Sequence, residues 1–281
     1  MTELDVDHLR SWIGKQETLH DQVTRFPIAA LSATLDRDDP APAAGDPLPP
    51  LWHWLYFLPT ARQSALGPDG HPARGGFLPP VPLPRRMWAG GRFTFHQPLR
   101  VDEPITRIST VQDVTVKQGR NGALCFVLVR HEVTGSNGLA LAEEHDIVYR
   151  DAPGPNEAPA APRQVRTDGV WQRDIQPSDP LLFRYSALTF NSHRIHYDRR
   201  YVTETEGYPG LIVHGPLIAT LLIDLLRRNT DRPVTSFRFR AVSPLFDVAP
   251  FSVHGVPEGQ GAALWARNPT GHVAMEAEAT F

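Results

Sequence analysis

Four side chains able to do acid–base chemistry or to bind a metal lie within eight residues: Asn191, His193, His196 and Asp198. A histidine titrates near neutral pH, so it can accept or donate a proton. Adding water to a double bond conjugated to a thioester needs a base for the water and an acid for the α-carbon. It also needs a donor for the enolate-like oxygen that develops. This segment could supply the two proton transfers.

Two other interpretations of the same spacing remain open. His193, His196 and Asp198, together with His214, could form a metal site, because imidazole and carboxylate groups are common ligands of transition metals. The residues could also belong to a polar loop whose side chains cap one another. Spacing alone does not decide among catalysis, metal binding and a structural loop.

A long apolar helix is predicted directly after this segment, over residues 214–228. Gly215 can serve as its N-cap and Pro216 as its first helical residue, where a missing N–H costs nothing. Arg227 and Arg228 complement the helix dipole at the other end. The helix is apolar nearly all round, so we expect it to be buried. Its first N–H groups could stabilise a carbonyl oxygen that gains charge, or this could be a plain core helix.

The elements around this site are predicted to be mainly strands. Alternating apolar residues indicate strands between Arg92 and Tyr149, with hairpin turns at 119–122 and 135–138, and again from Thr235 to the C-terminus. Residues 4–35 show helix-like spacing in patches, interrupted at Pro27. The Pro-rich residues 151–163 are predicted to be a linker.

A faint repeat indicates a duplicated α+β unit. Pro98-Leu99 and Pro104-Ile105 recur as Pro244-Leu245 and Pro250-Phe251, both offset by the same 146 residues. In each half, two further strands joined by a Gly-containing turn follow this element.

Composition excludes several classes of function. The net charge of −3 gives no reason to expect a nucleic acid or an anionic membrane as partner. A single cysteine, Cys125, excludes an internal disulfide and indicates a reducing compartment. The longest apolar run, 217–226, is too short to cross a bilayer, and the acidic N-terminus does not resemble a signal segment. We therefore expect a cytoplasmic protein.

The segments 185–198 and 206–215 together resemble the MaoC-like hotdog hydratase family. The similarity is greatest to the branch that holds the type 2 hydroxyacyl-thioester dehydratases and the mesaconyl-CoA and itaconyl-CoA hydratases. Residues 86–91, 119–122 and 130–132 also resemble this branch. The resemblance implies an α+β double hotdog, in which two antiparallel sheets each wrap a central helix. It places an N-terminal hotdog, the substrate-pocket half, at 1–152 and the hotdog with the catalytic motif at 164–281.

The resemblance also implies roles for individual residues. The family's catalytic histidine falls on His196, and its usual aspartate falls on Asn191, whose amide can only orient the water or the thioester. Asp198 could hold the tautomer of the catalytic imidazole, and the N–H of Gly215 is expected to bind the thioester oxygen. Tyr185, Asp198 and His193 are candidates for a second proton carrier. The residues expected to line the substrate site are Tyr185, His193, Arg194, Tyr208, Gly210, Leu211, His214, Arg86 and Trp88.

The expected function is reversible addition of water to a short branched or dicarboxylic enoyl-CoA of the itaconyl or mesaconyl type. The alternatives are a dehydratase for longer 3-hydroxyacyl thioesters and a non-catalytic acyl-CoA-binding hotdog. Arg86, Arg184 or Arg194 could bind a free carboxylate of the acyl group, although each could instead be a surface charge. No metal or other cofactor is expected, and a homodimer is expected by analogy with other hotdogs.

Overall fold

Ten antiparallel strands form one continuous sheet in the computed structural model, which describes residues 4–119, 122–151 and 162–281. The strands are β1 (Gln16–Gln22), β2 (Arg85–Phe95), β3 (Pro104–Gly119), β4 (Gly122–Gly135), β5 (Gly138–Arg150), β6 (Trp171–Ile175), β7 (Ser236–Ala241), β8 (Phe251–Glu258), β9 (Gly261–Arg267) and β10 (Val273–Thr280). The helices are α1 (Val6–Arg10), α2 (Arg25–Thr34), α3 (Asp179–Leu188) and α4 (Gly215–Asn229).

The sheet consists of two halves with the same topology. The order across it is β1-β3-β4-β5-β2-β7-β10-β9-β8-β6. When the five strands of each half are counted in chain order, the first strand lies at the outer edge of the sheet. The second strand lies at the centre, where the two halves meet. The repeat predicted this correspondence, because β3 begins at Pro104 and β8 at Phe251, within the matching pairs Pro104-Ile105 and Pro250-Phe251. The expected double hotdog is confirmed.

The two halves are joined edge to edge through β2 and β7. Phe93 pairs with Phe237 and Gly91 with Phe239 across this seam. The analogy behind the expected homodimer is that hotdog sheets commonly pair across subunits. Here that pairing is made within one chain, and the homodimer stays a prediction. The boundaries of the two predicted hotdogs also stay predictions, because residues 152–161 of the linker lie outside the described residues. Residues 120–121 of the first predicted hairpin turn lie outside them too.

The helix predicted in the C-terminal half is present as α4, and its N-cap lies one residue earlier than the predicted Gly215. His214 is its N-cap, and Pro216 occupies the second helical position. Residues 217–226 are all buried, because the helix packs against β6, β8, β9 and β10. In the N-terminal half, the described residues form no helix as long as α4. The 3₁₀ turn Trp52–Leu55 covers the strands there instead.

The N-terminal prediction of helical patches over 4–35 is wrong in two respects. Residues 16–22 form β1, because they pair along their whole length with residues 104–110 of β3. Pro27 does not interrupt a helix, since it lies in the first turn of α2, where its missing N–H leaves no intrahelical hydrogen bond unmade. The short strand β6 was not predicted.

A buried polar cluster lies on the inner face of the N-terminal strands. The carboxylate of Glu143 accepts hydrogen bonds from His53 Nε2 (2.7 Å) and Trp54 Nε1 (2.9 Å), and it also contacts His145 Nε2. Burial favours the neutral acid, but the imidazoles of His145 and His53 hold the pKa of Glu143 well below its usual value. Trp88 packs on His145, with ring centroids 4.0 Å apart.

None of the helices formed by the described residues is long and apolar enough to span a bilayer.

Candidate active site

The histidine segment turns sharply after α3 and then meets the chain that leads into α4. Phe190 adopts φ +48°, and the backbone N–H of Asn191 donates to the carbonyl of Ser186 (2.8 Å). A 3₁₀ turn follows over Arg194–His196. The N–H of Ile212 donates to the carbonyl of Ile195 (3.0 Å), which fixes the start of α4 beside this turn.

The hydrogen bonds of His196 define its tautomer. Its Nδ1 lies 2.7 Å from the carbonyl oxygen of Ile212, which can only accept, so Nδ1 carries the proton. Nε2 therefore has a free lone pair. Burial lowers the pKa of His196 to about 4, and the hydrogen bond to Ile212 opposes that effect. At neutral pH, His196 is an uncharged base with Nε2 available.

His214, the N-cap of α4, lies directly against His196. The two rings are stacked, with centroids 3.6 Å apart and planes inclined by 19°. The Nε2 of His214 is 2.7 Å from the hydroxyl of Ser186, whereas its buried Nδ1 has no hydrogen-bond partner among the described residues. Burial holds the pKa of His214 well below its usual value.

Two further histidines extend this stack into a row of four imidazoles, His71, His193, His196 and His214. The ring of His193 is edge-on to that of His196 at 5.5 Å, and the ring of His71 lies 3.9 Å from that of His193. Asp69 supports the far end of this histidine row, since its Oδ2 is 3.2 Å from Nδ1 of His71. Sequence reasoning missed Asp69 and His71, because nothing in their spacing connects them to the motif.

Asn191 keeps its amide nitrogen available to the site. Its Oδ1 accepts a hydrogen bond from the backbone N–H of His193 (3.0 Å). The NH₂ group is therefore the part of the side chain that can donate to a water or a thioester.

Asp198 does not contact the imidazole that it was expected to orient. Its Oδ2 accepts from Nε and Nη2 of Arg194 (3.0 and 2.8 Å), and its Oδ1 accepts from the backbone N–H of Tyr201 (3.0 Å). The carbonyl of Ile212 holds the ring of His196 instead. Arg194 also stacks over Tyr201, 4.1 Å from the ring centroid, so this ion pair braces the loop and leaves Arg194 engaged.

Several predicted lining residues have structural contacts. Tyr185 is buried against His214, with its hydroxyl hydrogen-bonded to Thr220. Leu211 lies in the core, and its N–H donates to Asp247, whose carboxylate also packs closely on Gly210. The hydroxyl of Tyr208 accepts from Nη1 of Arg85 (3.0 Å).

Arg86 and Trp88 lie on β2 of the N-terminal half. Arg86 pairs in register with Tyr149 and donates a hydrogen bond to its hydroxyl. Its positive charge also lowers the pKa values of His71 and His193, two members of the histidine row. No carboxylate among the described residues forms an ion pair with Arg86. Trp88 is farther along the same strand, on the polar cluster of Glu143.

The start of α4 is open in front of Gly215. A Cβ built on this glycine would meet no described atom within 4 Å. A helix N-terminus presents unpaired N–H groups with a partial positive charge, so a carbonyl oxygen could approach here, next to the stacked rings of His196 and His214.

The structure groups possible metal ligands differently from the sequence-based set. Asp69, His71 and His193 place one ligand atom each within 4.8 Å of one another. The predicted set of His193, His196, Asp198 and His214 is not assembled, because Asp198 faces Arg194.

Sequence comparison identifies a family and related proteins. Residues 51–247 match the family described as hydroxyacyl-thioester dehydratase type 2. The chain is 49% identical over 267 residues to the mesaconyl-C(4)-CoA hydratase of Chloroflexus aurantiacus, with 95% of both chains covered. It is 27% identical to the mitochondrial hydroxyacyl-thioester dehydratase type 2 of Schizosaccharomyces pombe, covering 84% of this chain and 88% of that protein.

Solved structures share the fold at low sequence identity. A MaoC-like dehydratase from Phytophthora capsici superposes with a TM-score of 0.69 at 13% identity, over 99% of this chain and 98% of that one. HtdX of Mycobacterium tuberculosis superposes with a TM-score of 0.65 at 17% identity, over 94% and 98%.

Proposed function

The chain belongs to the hydroxyacyl-thioester dehydratase type 2 family of MaoC-like hotdog enzymes, and on that premise we propose that it is a hydro-lyase. The reaction is reversible addition of water across the double bond of an α,β-unsaturated acyl-CoA. One observation carries this proposal: His196 has Nδ1 fixed by Ile212 and Nε2 free, beside the open start of α4.

The proton transfers follow from that tautomer. Nε2 of His196 removes a proton from water as the hydroxyl oxygen bonds to the β-carbon. The π electrons move toward the thioester oxygen, where the N–H of Gly215 stabilises the developing charge. The imidazolium then returns the proton to the α-carbon, so that one histidine serves as base and acid. The NH₂ group of Asn191 orients the substrate and takes no proton, because an amide is not a base at neutral pH.

For the acyl group, we propose a dicarboxylic enoyl-CoA of the mesaconyl-C4 type. In such a thioester the free carboxylate is attached to the β-carbon, the same carbon that receives the hydroxyl. A cation for this carboxylate must therefore lie close to the catalytic base. Arg86 is our candidate for this cation, since its positive charge acts on His71 and His193 of the histidine row and no carboxylate among the described residues pairs with it. Its planar guanidinium can bind both carboxylate oxygens.

The test compares substrates and one arginine variant. We expect the protein to consume the enoyl absorbance of mesaconyl-C4-CoA faster than that of itaconyl-CoA or crotonyl-CoA. The Arg86→Gln variant should raise KM for mesaconyl-C4-CoA by roughly 10- to 100-fold, as expected for a lost charge-assisted hydrogen bond. Its kinetics with crotonyl-CoA should change little.

Arg184→Gln is the matched control, because Arg184 is an exposed arginine on α3. If the protein instead turns over a long-chain 3-hydroxyacyl thioester faster than mesaconyl-C4-CoA, the proposal is wrong. The protein would then be a dehydratase for longer acyl chains. Tight acyl-CoA binding without loss of enoyl absorbance would indicate a non-catalytic binding protein.

A further inference from the structure

A loop of the N-terminal half, residues 68–71, is fastened to the histidine segment. The hydroxyl of Ser192 donates to the carbonyl of Gly70 (2.6 Å), and the backbone N–H of Arg194 donates to that of Asp69 (2.9 Å). Gly70 adopts φ +87°, and a Cβ there would overlap the carbonyl oxygen of Ser192. The close approach of the two segments therefore depends on a glycine at this position.

Three side chains that can bind a metal ion meet at this contact. Asp69 and His71 come from the loop and His193 from the histidine segment, and one ligand atom of each lies within 4.8 Å of the other two. The side chains of Asp69 and His71 are 36% and 24% exposed, so an ion can reach them from solvent. Two imidazoles and a carboxylate are a set of ligands that suits zinc and similar divalent metals.

The spacing of Asp69 and His71 fits two ligands of one ion. Oδ2 of Asp69 lies 3.2 Å from Nδ1 of His71, at the long end of the range of about 2.7–3.2 Å for an N–H···O hydrogen bond. Two atoms that bind one tetrahedral zinc at about 2.0–2.1 Å are roughly 3.3 Å apart. Oδ1 of Asp69 accepts from the backbone N–H of His71 (3.0 Å), which fixes the orientation of the carboxylate.

The third ligand is already close to this pair. The ring of His193 lies 3.9 Å from that of His71 between centroids. Because the hydrogen bonds of the loop to Ser192 and Arg194 hold the two segments together, an ion needs only small movements of side chains to bind all three groups.

We propose that Asp69, His71 and His193 form a binding site for a divalent transition metal of the zinc type, with water as the fourth ligand. An ion bound there connects the loop of the N-terminal half to the histidine segment of the C-terminal half and so stabilises their contact. The site is separate from the proposed hydration, because no step assigned to His196 uses the ion.

The charges around the site lower its affinity for a cation. Asp69 brings one negative charge. The positive charge of Arg86 lowers the pKa values of both His71 and His193, and that of Arg74 lowers the pKa of His71. A positive charge that disfavours a proton on these rings also disfavours a metal cation between them. Removing the charge of Arg86 should therefore tighten metal binding, whereas it should weaken binding of a substrate carboxylate.

Equilibrium dialysis against Zn²⁺ measures the binding directly, with a tag-free protein that has first been stripped by a chelator. We expect one Zn²⁺ per chain. The midpoint of thermal unfolding should rise with the Zn²⁺ concentration, since an ion that binds only the folded protein stabilises it. Co²⁺ in place of zinc should give the intense visible absorption of a four-coordinate ion.

Substitutions of the ligands locate the ion. His71→Gln and Asp69→Asn should each weaken Zn²⁺ binding by at least roughly 10- to 100-fold, because loss of a ligand costs no less than loss of a residue that orients one. Circular dichroism of each variant checks the fold. His20→Gln, which removes an exposed histidine on β1, is the control and should bind Zn²⁺ as the wild type does.

Two further variants test the surroundings of the site. Gly70→Ala should weaken Zn²⁺ binding by about tenfold or more, because the added methyl group overlaps Ser192 and moves the loop away from the histidine segment. Arg86→Gln should bind Zn²⁺ several-fold more tightly than the wild type.

Two results would overturn the inference. A protein that retains no Zn²⁺ in dialysis against an excess of the ion has no such site. A Zn²⁺ affinity that is unchanged in both His71→Gln and Asp69→Asn would show that the ion binds other histidines of the surface. Because binding is measured without substrate, neither result depends on whether the protein hydrates an enoyl-CoA.

Discussion

The imidazole of His196 lies flat against that of His214, with ring centroids 3.6 Å apart. Two rings at this distance cannot both become charged without strong repulsion. Because His214 is fully buried and hydrogen-bonded to Ser186, His196 is the member of this pair that accepts the proton in the proposed reaction. The stack thus leaves one base and lets the second imidazole act as its rigid support.

Loss of the His196 imidazole should abolish turnover without unfolding the protein. We expect His196→Ala to lower kcat/KM for hydration by about a thousandfold or more, since positioned acid–base groups contribute that order of magnitude. Circular dichroism checks the fold. His254→Ala removes another buried imidazole, stacked on Trp265 in the C-terminal sheet, and should retain activity. A His196→Ala variant that hydrates the substrate at the wild-type rate would show that His196 is not the catalytic base.

The activity should persist to a lower pH than it would if His196 had the usual pKa of a histidine. Since the pKa of His196 is lowered to about 4, the base form persists through the range in which an exposed histidine becomes protonated. We expect kcat/KM for crotonyl-CoA to stay level from about pH 8 to about pH 5.5 and to fall only nearer pH 4. An acid limb centred near the usual histidine pKa of about 6.5 would contradict this assignment.

Folding must be monitored in the same pH series. Burial also lowers the pKa of His131, to about 3. A histidine whose pKa is lower in the folded than in the unfolded protein binds more protons when unfolded. Its contribution to the free energy of unfolding is therefore complete above about pH 6.5 and is lost as the pH falls toward the pKa of the folded protein. Urea denaturation at each pH separates this loss of stability from protonation of His196, the proposed catalytic base.

The glycine at the contact between the two halves gives a sharp steric prediction. Gly70→Ala adds a methyl group that overlaps Ser192 and should displace the 68–71 loop, lowering hydration of mesaconyl-C4-CoA by about tenfold or more. Gly45→Ala is the control, because Gly45 has a similar φ of +83° but no described atom within 4 Å of an added Cβ. Equal effects of the two substitutions would show that backbone strain, not the contact with Ser192, is responsible.

A buried ion-pair network ties the apolar helix α4 to the N-terminal half. Asp224 is fully buried and accepts from Arg37 (2.7 Å), Arg173 (2.9 Å) and Arg228 (2.7 Å). Asp224→Asn removes the shared negative charge and should lower the free energy of unfolding by roughly 3–5 kcal/mol, measured by urea denaturation. Removing the carboxylate of the exposed Arg238–Glu278 pair, by Glu278→Gln, should cost less than about 1 kcal/mol.

Much of the fold was predictable because its signals are local. The turn at 135–138, the alternating apolar residues of β4 and β5, and the apolar run of α4 each act over a few neighbouring residues. The prediction of helical patches over residues 4–35 failed at β1. Its sequence, Gln-Glu-Thr-Leu-His-Asp-Gln, has little apolar pattern of its own. That strand forms because β3 offers it a complete set of hydrogen bonds.

For the candidate site, the sequence by itself determined the histidine segment that is proposed to be catalytic, the helix that follows it and the replacement of an expected aspartate by Asn191. Only the tertiary structure decided the partners of these residues. Asp198 pairs with Arg194, four residues earlier in the chain, and the backbone carbonyl of Ile212, which has no side-chain signature, holds the ring of His196 in its place. Asp69 and His71 join His193 through a contact between the two halves, and such long-range contacts leave no spacing in the sequence from which they could be inferred.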